Sequence, residues 1–111
     1  MAEKKSIMTK FMNYCMICGK PVEEVHHALY GNKHKLADED KLLMPLCRYH
    51  HNSSNMCVHQ NMEMKALSQM LAQACWEKQW LAENAYKDKG VEGNLKAAKD
   101  AFFKRYGENY L

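Results

Sequence analysis

The rhythm of apolar and polar positions changes near residue 61. Before it, short apolar runs alternate with turn residues, histidines and cysteines; after it, apolar residues recur at helical steps. Residues 21–29, from Pro21 to Leu29, predict a short strand forming half of a hairpin. Residues 30–35 are polar and read as a loop. The apolar run Leu42–Leu46 returns the chain to Cys47, and a brief helix is predicted from Arg48 to the turn cluster at 52–55. Asn61 is placed to cap a long helix running from Met62 to about Asp88, with Met64, Leu67, Leu71, Ala74, Leu81 and Ala85 marking its apolar face. Gly90 and Gly93 bracket a break. Asn94 then caps a second helix, Leu95 to Tyr106, which Gly107 ends. The pattern predicts an α+β chain: a loose lead-in over 1–13, a small finger over 14–61, and a helical extension over 62–111. A finger of this length has little core of its own, so the extension is expected to pack on it in one cooperative unit.

Composition narrows the class. In 111 residues, 47% are hydrophobic and 26% charged, which fits a folded domain and argues against disorder. No apolar run approaches membrane-spanning length, and the N-terminus lacks the pattern of a secretory signal, so a cytoplasmic, reducing location is expected. The net charge of +3 is too weak to prove a polyanion partner and compatible with one.

The position of the reactive side chains says more than their number. All six histidines fall between 26 and 59, and four of the five cysteines between 15 and 57. Cys15 and Cys18 are separated by two residues, as are Cys47 and His50. Two intervening residues let a tight turn aim both ligands at one ion, and Gly19 frees the backbone at that turn. Four N and S ligands suit a closed structural zinc site, so Cys15, Cys18, Cys47 and His50 are its expected ligands. Cys57 is either loop filler or an alternative ligand, and Cys75 a small core residue. Trp76 and Trp80 share a helix face suited to packing or self-association. Neighbouring residues on a strand point to opposite faces, so His26 and His27 are expected to do different work. His51 is likewise rotated away from His50.

In this order the residues resemble a known family. Cys15-x2-Cys18, Glu24-Val25-His26-His27, Leu43-Met44-Pro45-Leu46-Cys47-x2-His50-His51 and Val58-His59-x-Asn61 look like the zinc-containing HNH nucleases, also called His-Me finger endonucleases. The small HNH proteins of phages and prophages are the nearest likeness, over about residues 14–61; in that setting the location would be the host cytoplasm. The resemblance implies a ββα-metal finger that hydrolyses phosphodiester bonds in DNA with one catalytic divalent ion, Mg²⁺, Mn²⁺ or another. It casts His27 as general base, His26 and His51 as catalytic-metal ligands, and His59 as a third ligand or a phosphate contact. Lys33, His34, Lys35, Lys41 and Arg48 lie nearby and would supply phosphate contacts. The implied products are a 5′-phosphate and a 3′-hydroxyl, and the implied partners are DNA and other phage DNA-processing proteins, with the chain acting as monomer or homodimer. One position departs from the family: Leu42 stands where the middle Asn is usual, with Asp40 or the more distant Asn32 as substitutes. That departure keeps two alternatives in view, a catalytically inactive nucleic-acid-binding module and a protein–protein adaptor with a purely structural finger.

Overall fold

A computed structural model describes residues 5–111. Its architecture is α+β: a two-stranded antiparallel sheet flanked by helices. Strand β1 (Glu24–His27) pairs with β2 (Leu43–Leu46) in the register Glu24↔Leu46, Val25↔Pro45, His26↔Met44 and His27↔Leu43. Pro45 is tolerated because neither strand has neighbours on both sides within the sheet. Ahead of β1, a turn is closed by Gly19 N–H to Cys15 O (2.9 Å) and Cys15 N–H to Lys20 O (2.7 Å). Gly19 sits at φ +79°, a left-handed conformation that glycine adopts without a side-chain penalty.

The link between the strands is not the loop expected over 30–35. Gly31–Lys33 form a 3₁₀ turn and His34–Glu39 form helix α1. Its buried residue is Ala37, with Leu36 packed beside the core, so a single apolar pair anchors it. A short helix α2 (Arg48–His51) follows β2, as the sequence predicts.

Two longer helices complete the chain. Helix α3 (Met62–Asn84) begins as expected, with the Asn61 side chain accepting a hydrogen bond from Met64 N–H (3.0 Å). It stops four residues before the predicted end, where Ala85 turns extended. Its buried stripe also differs from the predicted one. Ser68, Ala72 and Gln73 are buried, with Met64 and Trp76 packed beside the core, whereas Leu67, Leu71, Ala74 and Ala85 are exposed and Leu81 is half-buried. Small and polar side chains let α3 approach closely, and Ser68 Oγ donates to Ala28 O at 2.9 Å. Cys75 is half-buried on this helix and not in the core.

Helix α4 (Gly90–Tyr106) starts four residues before the predicted Asn94 cap. Asn94 instead fastens the inter-helix turn from inside the helix, accepting from Tyr86 N–H (2.9 Å) and donating to Tyr86 O and Gly90 O (both 2.8 Å). Gly107, at φ +79°, ends α4 with its N–H on Phe103 O, as predicted.

One apolar cluster joins the two halves. Leu29, Leu42, Met44, Leu46 and Val58 from the first meet Ala72, Phe102 and Tyr106 from the second. Asp40, at the end of α1, adds a polar fastening: it accepts from Trp76 Nε1 (2.9 Å), Arg105 Nε (2.6 Å) and the Tyr106 hydroxyl. The lead-in is tied down as well. Over the described residues 5–13, Ile7 N–H reaches Lys41 O (3.0 Å), Ser6 Oγ reaches Leu43 O (2.6 Å), and Ile7 and Met8 pack on the core. Among the described residues no helix is long and apolar enough to cross a membrane.

Candidate functional site

The folded chain sorts its histidines into two places. His50 joins Cys15, Cys18 and Cys47, while His26, His51 and His59 form a second group; within each, the ligand atoms lie within 4.8 Å of one another. The turn at 15–19 supplies two sulfurs and the start of α2 supplies Cys47 and His50. Cys18 Sγ lies 3.6 Å from Cys47 Sγ, and His50 Nδ1 lies 3.3 Å from Cys47 Sγ and 3.8 Å from Cys15 Sγ. A tetrahedral ion with bonds of about 2.3 Å to sulfur and 2.0–2.1 Å to nitrogen needs edges of roughly 3.5–3.8 Å. The four residues can hold one metal ion. Burial acts to raise the Cys15 thiol, but backbone N–H groups of Cys47, Cys18 and Ile17 outweigh it and carry the thiol below its ordinary range. That shift favours the thiolate a metal requires. Cys57 is buried outside both clusters, which fits loop filler and not a ligand.

The second group is built by strand alternation. Glu24 and His26 share one face of β1, and His27 takes the other. His51, on α2, points Nδ1–H at the Glu24 carboxylate, which leaves Nε2 as its lone-pair nitrogen. His59 Nε2 lies 3.0 Å from that atom. The His26 tautomer follows from its neighbours. The Tyr30 hydroxyl donates to Val58 O (3.0 Å), and Ser68 Oγ donates to Ala28 O (2.9 Å). Both hydroxyl hydrogens are therefore committed, so His26 Nε2, 3.2 Å and 3.4 Å from these oxygens, must be the donor. Its Nδ1 is then the lone-pair nitrogen. Burial, then repulsion from His59, His51, His27 and His34, lowers the His26 pKa from 6.5 to about 3, so the ring is neutral at pH 7. Burial, and then His51, lower His59 as well.

This shift has a measurable consequence for the protein whose Cys15 cluster is metal-loaded and whose histidine cluster is empty. The unfolded chain binds a proton at His26 near pH 6.5, while the folded chain resists it down to about pH 3. Stability is thus fully present above pH 6.5 and is lost as pH falls toward 3. The slope from this one proton is at most about 1.4 kcal/mol per pH unit. Urea titrations at about pH 7 and pH 5 should show this loss in wild type and a shallower one in His26→Gln. Equal slopes in both would remove His26 as its source.

His27 has different company. Its Nε2 is 2.9 Å from Asp38 Oδ1, and its ring lies 3.7 Å, centroid to centroid, from that of His34. His34 and Asp38 are four apart on α1, on one helix face. Neither proposed stand-in for the middle Asn serves His27: Asp40 turns toward Trp76, Arg105 and Tyr106, and Asn32 is exposed in the 3₁₀ turn. The Leu42 carbonyl accepts from Ala28 N–H (2.9 Å). Two of the expected phosphate contacts are paired with acids, Lys33 with Glu108 (3.7 Å) and Arg48 with Glu23 (3.5 Å). Lys35 is exposed, and Lys41 is exposed at a left-handed turn (φ +58°).

His26, His27, His34, His51 and His59 line one cleft of about 250 Å³, together with Tyr30. Sequence reasoning missed Glu24, Tyr30, Ser68 and Asp38. Glu24 was discoverable from its two-residue spacing to His26, and Asp38 from its helical spacing to His34. No protein-family model matches the chain, and no curated protein or solved structure matches it.

Proposed function

We propose that the chain is a metal-dependent endonuclease of the HNH type, hydrolysing phosphodiester bonds in DNA on a ββα-metal finger. The observation that supports it best is the histidine cleft: three imidazoles gathered as a cation site beside a fourth, His27, held by a carboxylate. In this reading Cys15, Cys18, Cys47 and His50 hold a structural zinc, whose preferred S and N ligands they supply within 4.8 Å of one another. His26, His51 and His59 would hold the catalytic ion, Mg²⁺, Mn²⁺ or another divalent ion, and imidazole nitrogens suit the softer first-row metals. When bound, that ion supplies charge neutralisation at the phosphate and the departing 3′ oxygen.

The chain's own residues do the rest. Asp38 accepts the proton-bearing Nε2 of His27, fixing the tautomer and leaving Nδ1 to take a proton from water. Glu24 orients His51 in the same manner. Tyr30 and Ser68 fix His26. The resulting products are a 5′-phosphate and a 3′-hydroxyl.

The direct test is plasmid nicking by the zinc-loaded protein with Mg²⁺ or Mn²⁺. Absence of nicking with these ions and with Co²⁺, Ni²⁺ and Zn²⁺, on supercoiled, linear and single-stranded DNA alike, would discard the proposal. Asp38 is a positioning residue here, and Asp38→Ala is expected to lower kcat roughly 10- to 100-fold, the range for partners that orient a functional histidine. Asp38→Asn keeps an acceptor oxygen and should recover most of that loss. Wild-type kcat in Asp38→Ala would show that the contact does no positioning.

A further inference from the structure

A cavity of about 500 Å³ lies between residues 5–13 and β1. Lys5, Ser6, Thr9, Lys10, Met12 and Asn13 line it around Val25, and among the described residues no carboxylate does. Val25 also lines the histidine cleft, so the two hollows adjoin. Strand alternation puts Val25 on the same face as His27, roughly 7 Å along the strand. The groove is built, not incidental. Ser6 and Ile7 are pinned to the backbone at Leu43 and Lys41, and Phe11 N–H closes a turn on Thr9 Oγ1 at 3.0 Å.

Charge selects the occupant. Lys33, Arg48, Lys96 and Arg105 are paired with acids, but among the described residues no carboxylate pairs with Lys5 or Lys10. The groove therefore presents two cations with hydroxyl and amide groups, the donor set that phosphate oxygens accept. Beside it Phe11 is 62% exposed, and Lys10 Nζ lies 5.2 Å from its ring centroid. An exposed aromatic ring next to unpaired lysines fits a base and its phosphate better than a free small anion.

We propose that this groove is a polynucleotide-backbone subsite. A DNA strand lies along Lys5 and Lys10 and passes over Val25, which brings the next phosphates to His27 and the cation site. The path into the cleft rests on the nuclease reading; the capture of a polyanion by the lysines does not.

The test uses the full zinc-loaded chain and the double substitution Lys5→Gln/Lys10→Gln, both at exposed positions. Binding of a fluorescently labelled DNA duplex is followed by anisotropy across a salt series without Mg²⁺ or Mn²⁺. Each phosphate contact contributes about 0.9 to the slope of log K against log salt, so the slope should fall by about 2 in the variant. Low-salt affinity should drop roughly tenfold or more. Hydrolysis of bis(p-nitrophenyl) phosphate, too small to reach the groove, should stay at the wild-type rate. An unchanged salt slope and affinity would overturn the subsite, whatever the cleavage result. Wild type that binds through these lysines yet hydrolyses neither substrate would discard the nuclease reading and keep the subsite.

Discussion

If the Cys15 cluster holds zinc as proposed, replacing Cys15 with serine is expected to release it and unfold the residues around it. Cys15 is 3% exposed, belongs to the same buried cluster as Leu29, Leu46 and Phe102, and faces His50 across the ligand tetrahedron. Serine offers a weaker ligand and places a hydroxyl in the buried position the thiol occupied. Zinc binding contributes about 10–16 kcal/mol to folding in small fingers, against a whole-domain stability of about 5–15 kcal/mol. Losing most of that coupling leaves no stable folded population. Metal analysis should fall from about one zinc per chain to near zero, with loss of the cooperative melt, and a strong chelator should do the same to wild type. Cys57→Ser is the comparison: the residue is as buried as Cys15 but lies outside the cluster, so its zinc content should stay normal. Cys15→Ser protein with normal zinc and a wild-type melt would refute this ligand set.

The second large effect is catalytic. His27→Ala should lower plasmid nicking by about 10²–10⁴-fold, the contribution of a positioned general base. The loss should appear in kcat, because His27 lies outside the cation cluster and its removal leaves His26, His51 and His59 in place. Zinc content should be unchanged, since the Cys cluster shares no side chain with His27. Nicking at the wild-type rate would show that another group activates the water. His26→Ala is a useful contrast: it removes a proposed cation ligand together with the donor to Tyr30 and Ser68, so metal affinity and stability should fall with activity.

The parts of the site that the sequence made legible are those fixed by short spacing. Two ligands separated by two residues can only face one way around a turn, so both Cys/His pairs were readable. The alternation of His26 and His27 was readable for the same reason. What escaped notice depends on long-range packing. Helix α1 has little apolar content, and a single buried residue, Ala37, with Leu36 beside it carries it. Read as a loop, it could not offer Asp38 to His27. In α3, hydrophobicity pointed to Leu67 and Leu71, yet the face that packs carries Ser68, Ala72 and Gln73. Ser68 meets the Ala28 carbonyl and His26, and Gln73 accepts from Tyr110 N–H and donates to Asn109 Oδ1, so hydrogen bonding rather than apolar area selects this face. Asn94 has the residue type of a cap, but the chain had already turned helical at Gly90, where its side chain found the turn instead.

The triple grip on Asp40 sets a limit on modularity. The residue closes α1 two positions after Asp38, and its three partners all come from α3 and the end of α4. Arg105 and Tyr106 on α4 thus fix the end of the short helix that carries Asp38, the carboxylate bonded to His27. The first 61 residues are therefore not a transplantable cassette. Grafted without the last two helices, they would carry every proposed metal ligand and still lack the contacts that fix α1 and so orient His27, so fusion or trimming experiments should keep the C-terminal helices.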